Sequence, residues 1–197
     1  MFGDSLTAGT TSAALTRVMS AGLPQSYPYK FLERLQGRYT NQTFVVENEG
    51  KPAETAAAGV VRLPPILRSL APEIVVLLEG VNDITFLEQR SVTQIAGYVN
   101  TMAHDARFAG AQVIICALPP QRPGGLRAAE PALVSSYNQA LRDVARGEAA
   151  TLLDLANDFG DLSLIGADGL HPTEAGYARI ADLLFDTVRR TFETPVP

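Results

Sequence analysis

Short unbroken runs of Val, Ile and Leu alternate with longer stretches of helical periodicity along this chain. Phe44-Val45-Val46, Ile74-Val75-Val76-Leu77-Leu78, residues 112–118 and Thr151-Leu152-Leu153-Asp154 read as strands. Continuous apolar runs of this kind suit strands buried on both faces, as in a parallel sheet. Between them, Tyr29, Leu32 and Leu35 recur at helical spacing, and so do Val60, Leu63 and Leu67. Pro64-Pro65 is predicted to bend or restart that second helix, because proline lacks the N–H that a helix interior needs. Ile95, Val99, Met102, Ala106 and Ala109 form the stripe of a third helix. A fourth is predicted over 131–146 and a fifth over 173–192. Strands alternating with helices imply an α/β fold with right-handed crossovers. At 197 residues one core suffices, so residues 1–193 are read as a single domain. Residues 194–197 are read as a frayed tail.

Composition narrows the partners. The net charge is −5 and no Lys/Arg cluster stands out, so there is no electrostatic footprint for nucleic acid. No run reaches the ~18 apolar residues of a membrane-spanning helix. The one cysteine, Cys116, lies inside an apolar run and reads as a buried strand residue. It leaves the redox compartment open. The first residues have neither the basic region nor the apolar core of a signal peptide. Localisation and oligomeric state are not fixed by these features.

In folds of this class, functional groups gather at the carboxyl ends of the strands. His171 lies in Asp168-Gly169-Leu170-His171-Pro172-Thr173. Pro172 suits the first turn of a helix, which would hold His171 at a fixed helix entrance. Asp168 is close enough to turn back onto the ring, fix its tautomer and leave the other nitrogen free as a base. It equally suits a turn cap. His104, beside Asp105 and Arg107, reads as an ordinary helix histidine. Ser5, in Gly3-Asp4-Ser5-Leu6, sits where a strand end feeds a helix. It is either a nucleophile or an N-cap. The glycine spacing is not that of a phosphate-binding loop. Asn82, in Glu79-Gly80-Val81-Asn82-Asp83, is an amide donor for an oxyanion or a turn asparagine. Residues 48–55 enter a helix and offer backbone N–H groups, or form a plain connection. Together these parts suit acyl transfer.

The blocks Gly3-Asp4-Ser5-Leu6, Gly80-Val81-Asn82-Asp83 and Asp168-Gly169-Leu170-His171-Pro172 resemble, in order, those of the SGNH or GDSL serine hydrolases. The resemblance implies a flavodoxin-like three-layer fold with sheet order 2-1-3-4-5 flanked by helices. It also implies hydrolysis through an acyl-enzyme with neither metal nor cofactor. Two departures stand out. The family's second block has a glycine where this chain has Ala53, so the Ala53 N–H serves as oxyanion donor only if its backbone tolerates a Cβ. The family also has a full apolar strand before the first block, where this chain offers Met1-Phe2. The first strand is therefore expected to be largely missing, leaving a gap between neighbours. The natural polypeptide is expected to continue upstream with about five or more apolar, β-branched residues, with or without a signal sequence before them; the alternative is that another segment, such as one from a second copy, fills the slot.

The expected chemistry is hydrolysis of a small-molecule ester. Ser5 is the nucleophile, His171 the base and Asp168 its orienter. Ser5 N–H, Ala53 N–H and the Asn82 side chain form the oxyanion hole. Ile84, Phe86, Leu118 and Ile165, with Leu87, Leu126, Phe159 and Leu164 near them, are candidates for a modest acyl pocket favouring short chains. Acyltransferase, thioesterase and lysophospholipase activities use the same residues. A non-catalytic acyl-carrier module is an alternative, since Asp-Ser-Leu also resembles a phosphopantetheine attachment site. A degenerate binding protein is another.

Overall fold

The computed structural model describes residues 1–11, 23–86 and 91–193. Its centre is a parallel sheet of five strands in the order β2-β1-β3-β4-β5. The strands are β1 (Phe2–Gly3), β2 (Glu49–Gly50), β3 (Ile74–Leu78), β4 (Gln112–Ala117) and β5 (Thr151–Asp154). The helices are α1 (Ser5–Ala8), α2 (Tyr27–Arg38), α3 (Ala56–Leu70), α4 (Val81–Phe86), α5 (Val92–Phe108), α6 (Pro131–Gly147), α7 (Leu155–Asp158) and α8 (Glu174–Phe192). α2 packs against α8, while α3, α5 and α6 pack side by side. The order and the flanking helices are those expected. A parallel sheet also removes the acyl-carrier reading, which required a small helical bundle.

Burial explains the strands. Leu77, Leu78, Ile114, Ile115 and Leu153 are almost wholly inaccessible, so both faces of β3 and β4 are covered, as their unbroken apolar runs require. Cys116 lies in the same layer, and burial pushes its thiol up to about 12. Four of the long helices begin on hydroxyl caps: Ser26, Thr55, Ser91 and Thr173 each accept an N–H of the first turn. Each such cap stabilises its helix by about 1 kcal/mol.

Three local expectations are corrected. No strand forms at Phe44–Val46; the strand next to β1 is Glu49–Gly50 instead. A parallel strand needs a neighbour to bond, and β1 offers only Phe2 and Gly3, which pair with Glu49 and Gly50. Val46 is buried and Val45 is 79% exposed, so the alternation survives without the ladder. On its other side β1 pairs only with Leu77 and Leu78. Among the described residues, Ile74, Val75 and Val76 have a strand partner only in β4.

Second, α3 runs through Pro64 and Pro65 without interruption. The carbonyls that lose their donors are those of Val60 and Val61, four residues back. Val61 is 77% exposed, so water can take those bonds. Third, Pro172 is not in the first turn of α8. Thr173 caps that helix, and Pro172 pairs with Ile165 in an isolated antiparallel bridge. His171 is held by that bridge and by its carbonyl accepting from the Gly166 N–H at 2.8 Å. Residues 194–197 and Leu87 lie outside the described residues. No helix among the described residues is long and apolar enough to cross a membrane.

Candidate active site

Ser5 is the first residue of α1, directly after β1. Asp4 is the N-cap, and its carboxylate accepts the Leu6 N–H at 2.9 Å. Capping therefore falls to Asp4, and the Ser5 hydroxyl stays free for another partner. That partner is His171, whose Nε2 lies 2.9 Å from Ser5 Oγ. On the far side of the ring, Nδ1 lies 2.6 Å from Asp168 Oδ2. Asp168 Oδ1 accepts the backbone N–H groups of His171 at 3.0 Å and Leu170 at 3.1 Å. Burial works to raise the Asp168 carboxyl. The hydrogen bonds from His171 and from those two N–H groups outweigh it and hold the carboxyl below its ordinary value. An ionised Asp168 fixes the proton on Nδ1, so Nε2 faces Ser5 as an acceptor. Three of the expected residues are thus joined in one hydroxyl–imidazole–carboxylate chain.

The backbone makes this approach possible. A Cβ on Gly3 would lie 2.0 Å from the Leu78 carbonyl oxygen, so only glycine lets β1 end against β3 and turn into α1. Gly169 has φ +85°, and a Cβ there would meet Arg122 O and Gly125 Cα at 2.8 Å. The loop after β4 is seated on this turn: Arg122 N–H donates to Gly169 O at 2.9 Å and Arg127 N–H to Asp168 O at 2.8 Å.

Asn82 is 5% exposed, in α4 just beyond β3. Its side-chain nitrogen donates to the Glu54 carbonyl at 2.7 Å. The nitrogen carries two hydrogens, so one remains after that bond. Ala53 stands in the left-handed region at φ +64°. The Cβ does not prevent this conformation, but it costs roughly 1–2 kcal/mol that glycine would not. The turn is held by its neighbours. Asp83 accepts the Ala56 N–H at 2.8 Å, and the Glu54 carboxylate is clasped by Arg62.

The apolar candidates fare differently. Leu118 and Ile165 have no exposed surface and belong to the core, as does Phe159 at 1%. Ile84 is 6% exposed. None offers a ligand more than an edge, because the sheet and α8 need their surface for packing. The backbone of Phe86 closes α4; its side chain lies outside the described residues. Leu126, 98% exposed, rides on the loop seated against Asp168. A cavity of about 400 Å³ opens elsewhere, lined by Pro120, Gln121, Val134, Asn138 and Arg142 among others. His104 is a surface residue whose Nδ1 is 3.7 Å from Glu148.

Four polar residues at the site escaped the reading of single positions. Asp4 and Asp83 stand inside the motifs, beside the residues that drew attention. Burial pushes the Asp4 carboxyl up to about 7, against the pull of the Leu6 and Val81 N–H groups, with Asp83 and Glu54 adding to the rise. Glu54 and Arg62 are eight residues apart, one before α3 and one within it, so no i,i+4 rule links them.

The fold has known counterparts. Residues 1–179 match the GDSL-like Lipase/Acylhydrolase family. The chain is 27% identical over 177 residues to Esterase TesA of Pseudomonas aeruginosa, covering 87% of this chain and 84% of that protein. A crystal structure of TesA superposes with a TM-score of 0.74 at 26% identity, covering 96% of both chains. The lipase/acylhydrolase from Enterococcus faecalis shares the fold with a TM-score of 0.82 at 22% identity, over 100% of this chain and 97% of the other. Est24, a carbohydrate acetylesterase from Sinorhizobium meliloti, shares it with a TM-score of 0.78 at 21% identity, over 97% of each chain. With its three sequence blocks meeting at one end of a 2-1-3-4-5 sheet, and with nearly the whole chain matched, this protein belongs to the GDSL-like lipase/acylhydrolase family.

Proposed function

We propose that the protein is a serine esterase that hydrolyses carboxylic esters through an acyl-enzyme on Ser5. The observation that carries this reading is the relay itself: Ser5 Oγ lies 2.9 Å from His171 Nε2 and His171 Nδ1 lies 2.6 Å from Asp168. His171 takes the hydroxyl proton as Ser5 Oγ attacks the ester carbonyl. Asp168, held ionised, stabilises the imidazolium that forms. The oxyanion is met by the Ser5 and Ala53 N–H groups and by the second hydrogen of the Asn82 amide. His171 then protonates the leaving alcohol, and the acyl group stays on Oγ. A water, deprotonated by His171, attacks that ester and releases the carboxylic acid. No step calls for a metal.

Short acyl chains are the favoured substrates. Leu118, Phe159 and Ile165, three of the candidates for lining an acyl pocket, are held in the core, so they do not line a deep acyl channel. The similarity to TesA, named as an esterase, supports ester hydrolysis.

The test is a series of p-nitrophenyl esters from acetate to decanoate, with Ser5→Ala alongside. Wild-type kcat/KM should be highest for the short chains, and mass spectrometry of quenched enzyme should find the acyl group on the peptide bearing Ser5. Activity retained in Ser5→Ala would overturn the mechanism, and a rate rising steadily with chain length would overturn the substrate preference.

A further inference from the structure

The Glu54 carboxylate is fully buried. A lone carboxylate in such a place is unfavourable, and it persists only with a partner. Lys51 Nζ stands 3.6 Å from one of its oxygens, and the closer partner is Arg62, on α3. Nε lies 2.8 and 2.9 Å from the two carboxylate oxygens, and Nη2 lies 2.5 Å from the second. The same guanidinium reaches further. Nη2 donates to the Glu49 carbonyl at 2.8 Å and to the Gly3 carbonyl at 3.5 Å, and Nη1 lies 3.4 Å from the Glu49 carboxylate. The Arg62 guanidinium carbon sits over the Phe2 ring, 4.0 Å from its centroid.

These contacts converge on three pieces of the proposed machinery. Gly3 is two residues before the nucleophile. Glu54 follows Ala53, whose left-handed backbone persists only if its surroundings over-determine it. The Glu54 carbonyl holds the Asn82 amide at 2.7 Å. One planar cation therefore fixes the end of β1, the end of β2 and the Ala53-Glu54 turn relative to one another. Lysine has the charge but not the fork, so it cannot meet these acceptors together.

We propose that Arg62 is a positioning residue for the oxyanion hole: through Glu54 it sets the Ala53 N–H and the Asn82 amide against the carbonyl attacked by Ser5. The proposal rests on the serine-esterase reading above. In this role Arg62 acts through Glu54 rather than on the substrate, so its effect falls on the transition state rather than on substrate binding.

The experiment compares wild type, Arg62→Lys, the charge-free pair Glu54→Gln/Arg62→Met, and Ser5→Ala, using p-nitrophenyl acetate and active-site titration. The pair removes both charges, so no buried carboxylate is left without a partner. Arg62→Lys keeps the charge and decides the matter if the pair fails to fold. Displacing oxyanion donors by a fraction of an ångström to an ångström should lower kcat per titrated site by about tenfold to a hundredfold. KM should stay within about threefold, as befits a loss felt only in the transition state. The inhibition constant of a trifluoromethyl ketone, whose hemiketal oxyanion would occupy the same donors, should rise by the same factor as kcat falls. A merely structural role would lower the titrated fraction and leave kcat per site and the inhibition constant unmoved. That result, wild-type kcat in folded Arg62→Lys, or a loss expressed in KM alone overturns the proposal. If Ser5→Ala keeps the wild-type rate, the esterase reading itself falls; if Ser5→Ala is inactive and Arg62→Lys is not impaired, only the role of Arg62 falls.

Discussion

The Asn82 side-chain nitrogen donates to the backbone carbonyl of Glu54 at 2.7 Å. This bond joins the turn after β3 to the turn after β2, and it aims the amide. Without it, the carboxamide would be free to rotate, and a donor that must reorganise during the reaction is worth less than one already in place. Asn82→Ala should lower kcat by about 10²–10³ while KM moves little. The substitution also leaves the Glu54 carbonyl without that donor in a buried site, which costs about 1–3 kcal/mol. Steady-state kinetics and a thermal melt check both effects. A large rise in KM at unchanged kcat would make Asn82 a substrate-binding residue instead.

Ala53 gives a second prediction, because its φ of +64° is one that glycine adopts freely. Relief of the left-handed cost, roughly 1–2 kcal/mol, is offset in part by the greater freedom of glycine in the unfolded chain, about 0.4–1 kcal/mol. Ala53→Gly should therefore stabilise the fold by up to about 1.6 kcal/mol and keep its activity. Ala53→Val should lose both stability and kcat, since a β-branched side chain resists the left-handed region more strongly. Ala71 at φ +42°, the C-cap of α3, is a comparison site. Ala71→Gly should stabilise similarly with no effect on rate. Denaturant melts of the three variants test this, and a destabilised Ala53→Gly would show that the strain is absent.

The relay between Ser5 and Asp168 predicts strong non-additivity. Ser5→Ala and His171→Ala should each remove nearly all esterase activity, and the double variant should be little worse than either, because members of one relay act as a unit. Asp168→Asn would present the wrong tautomer to Ser5 and should cost on the order of 10⁴ in kcat. His104→Ala removes an exposed ring that has no place in the Ser5–His171–Asp168 relay and should leave the rate unchanged. Near-additive losses in the double variant would mean that Ser5 and His171 do not serve the same step.

The sequence made some of these parts legible and left others hidden, for physical reasons. β3 and β5 form where their apolar runs lie, because unbroken Val/Ile/Leu runs have few other ways to be buried. Ser5, Asp168 and His171 could be named as candidates because the chain has two histidines in all and the serine and aspartate stand in recognisable blocks. Phe44–Val46 misled because a strand needs a partner ladder as well as β-branched residues, and β1 supplies only two residues of it. Leu118 and Ile165 misled because an apolar residue after a strand can serve either a pocket or the core, and only the packing of α8 and its neighbours decides. Arg62 was invisible because its partners, Glu54, Glu49 and Gly3, are brought to it by topology alone.

Asp4 predicts how stability changes with pH. Burial raises its carboxyl from 3.8 to about 7, so the folded protein retains a proton that the unfolded chain releases. Between about pH 4 and 7 the folded state binds more protons, and stability must fall as pH rises. The contribution is fully present below the unfolded value and is lost as pH climbs through about 7. Burial also raises Glu79 well above its ordinary value, with Asp4 adding to the rise, so it acts in the same direction. Asp168 is shifted the other way; its stabilisation is present above the unfolded value and disappears as pH falls through its lowered one. Asp4→Asn keeps an acceptor oxygen for the Leu6 N–H, since asparagine is as good an N-cap as aspartate, but it has nothing to titrate. The melting temperature of Asp4→Asn relative to wild type should therefore rise from pH 4.5 to about pH 7 and level off above it. Taking the difference between the two proteins separates Asp4 from groups that titrate alike in both. A difference that stays flat over that range would mean that Asp4 is ionised throughout, with its charge met inside the fold.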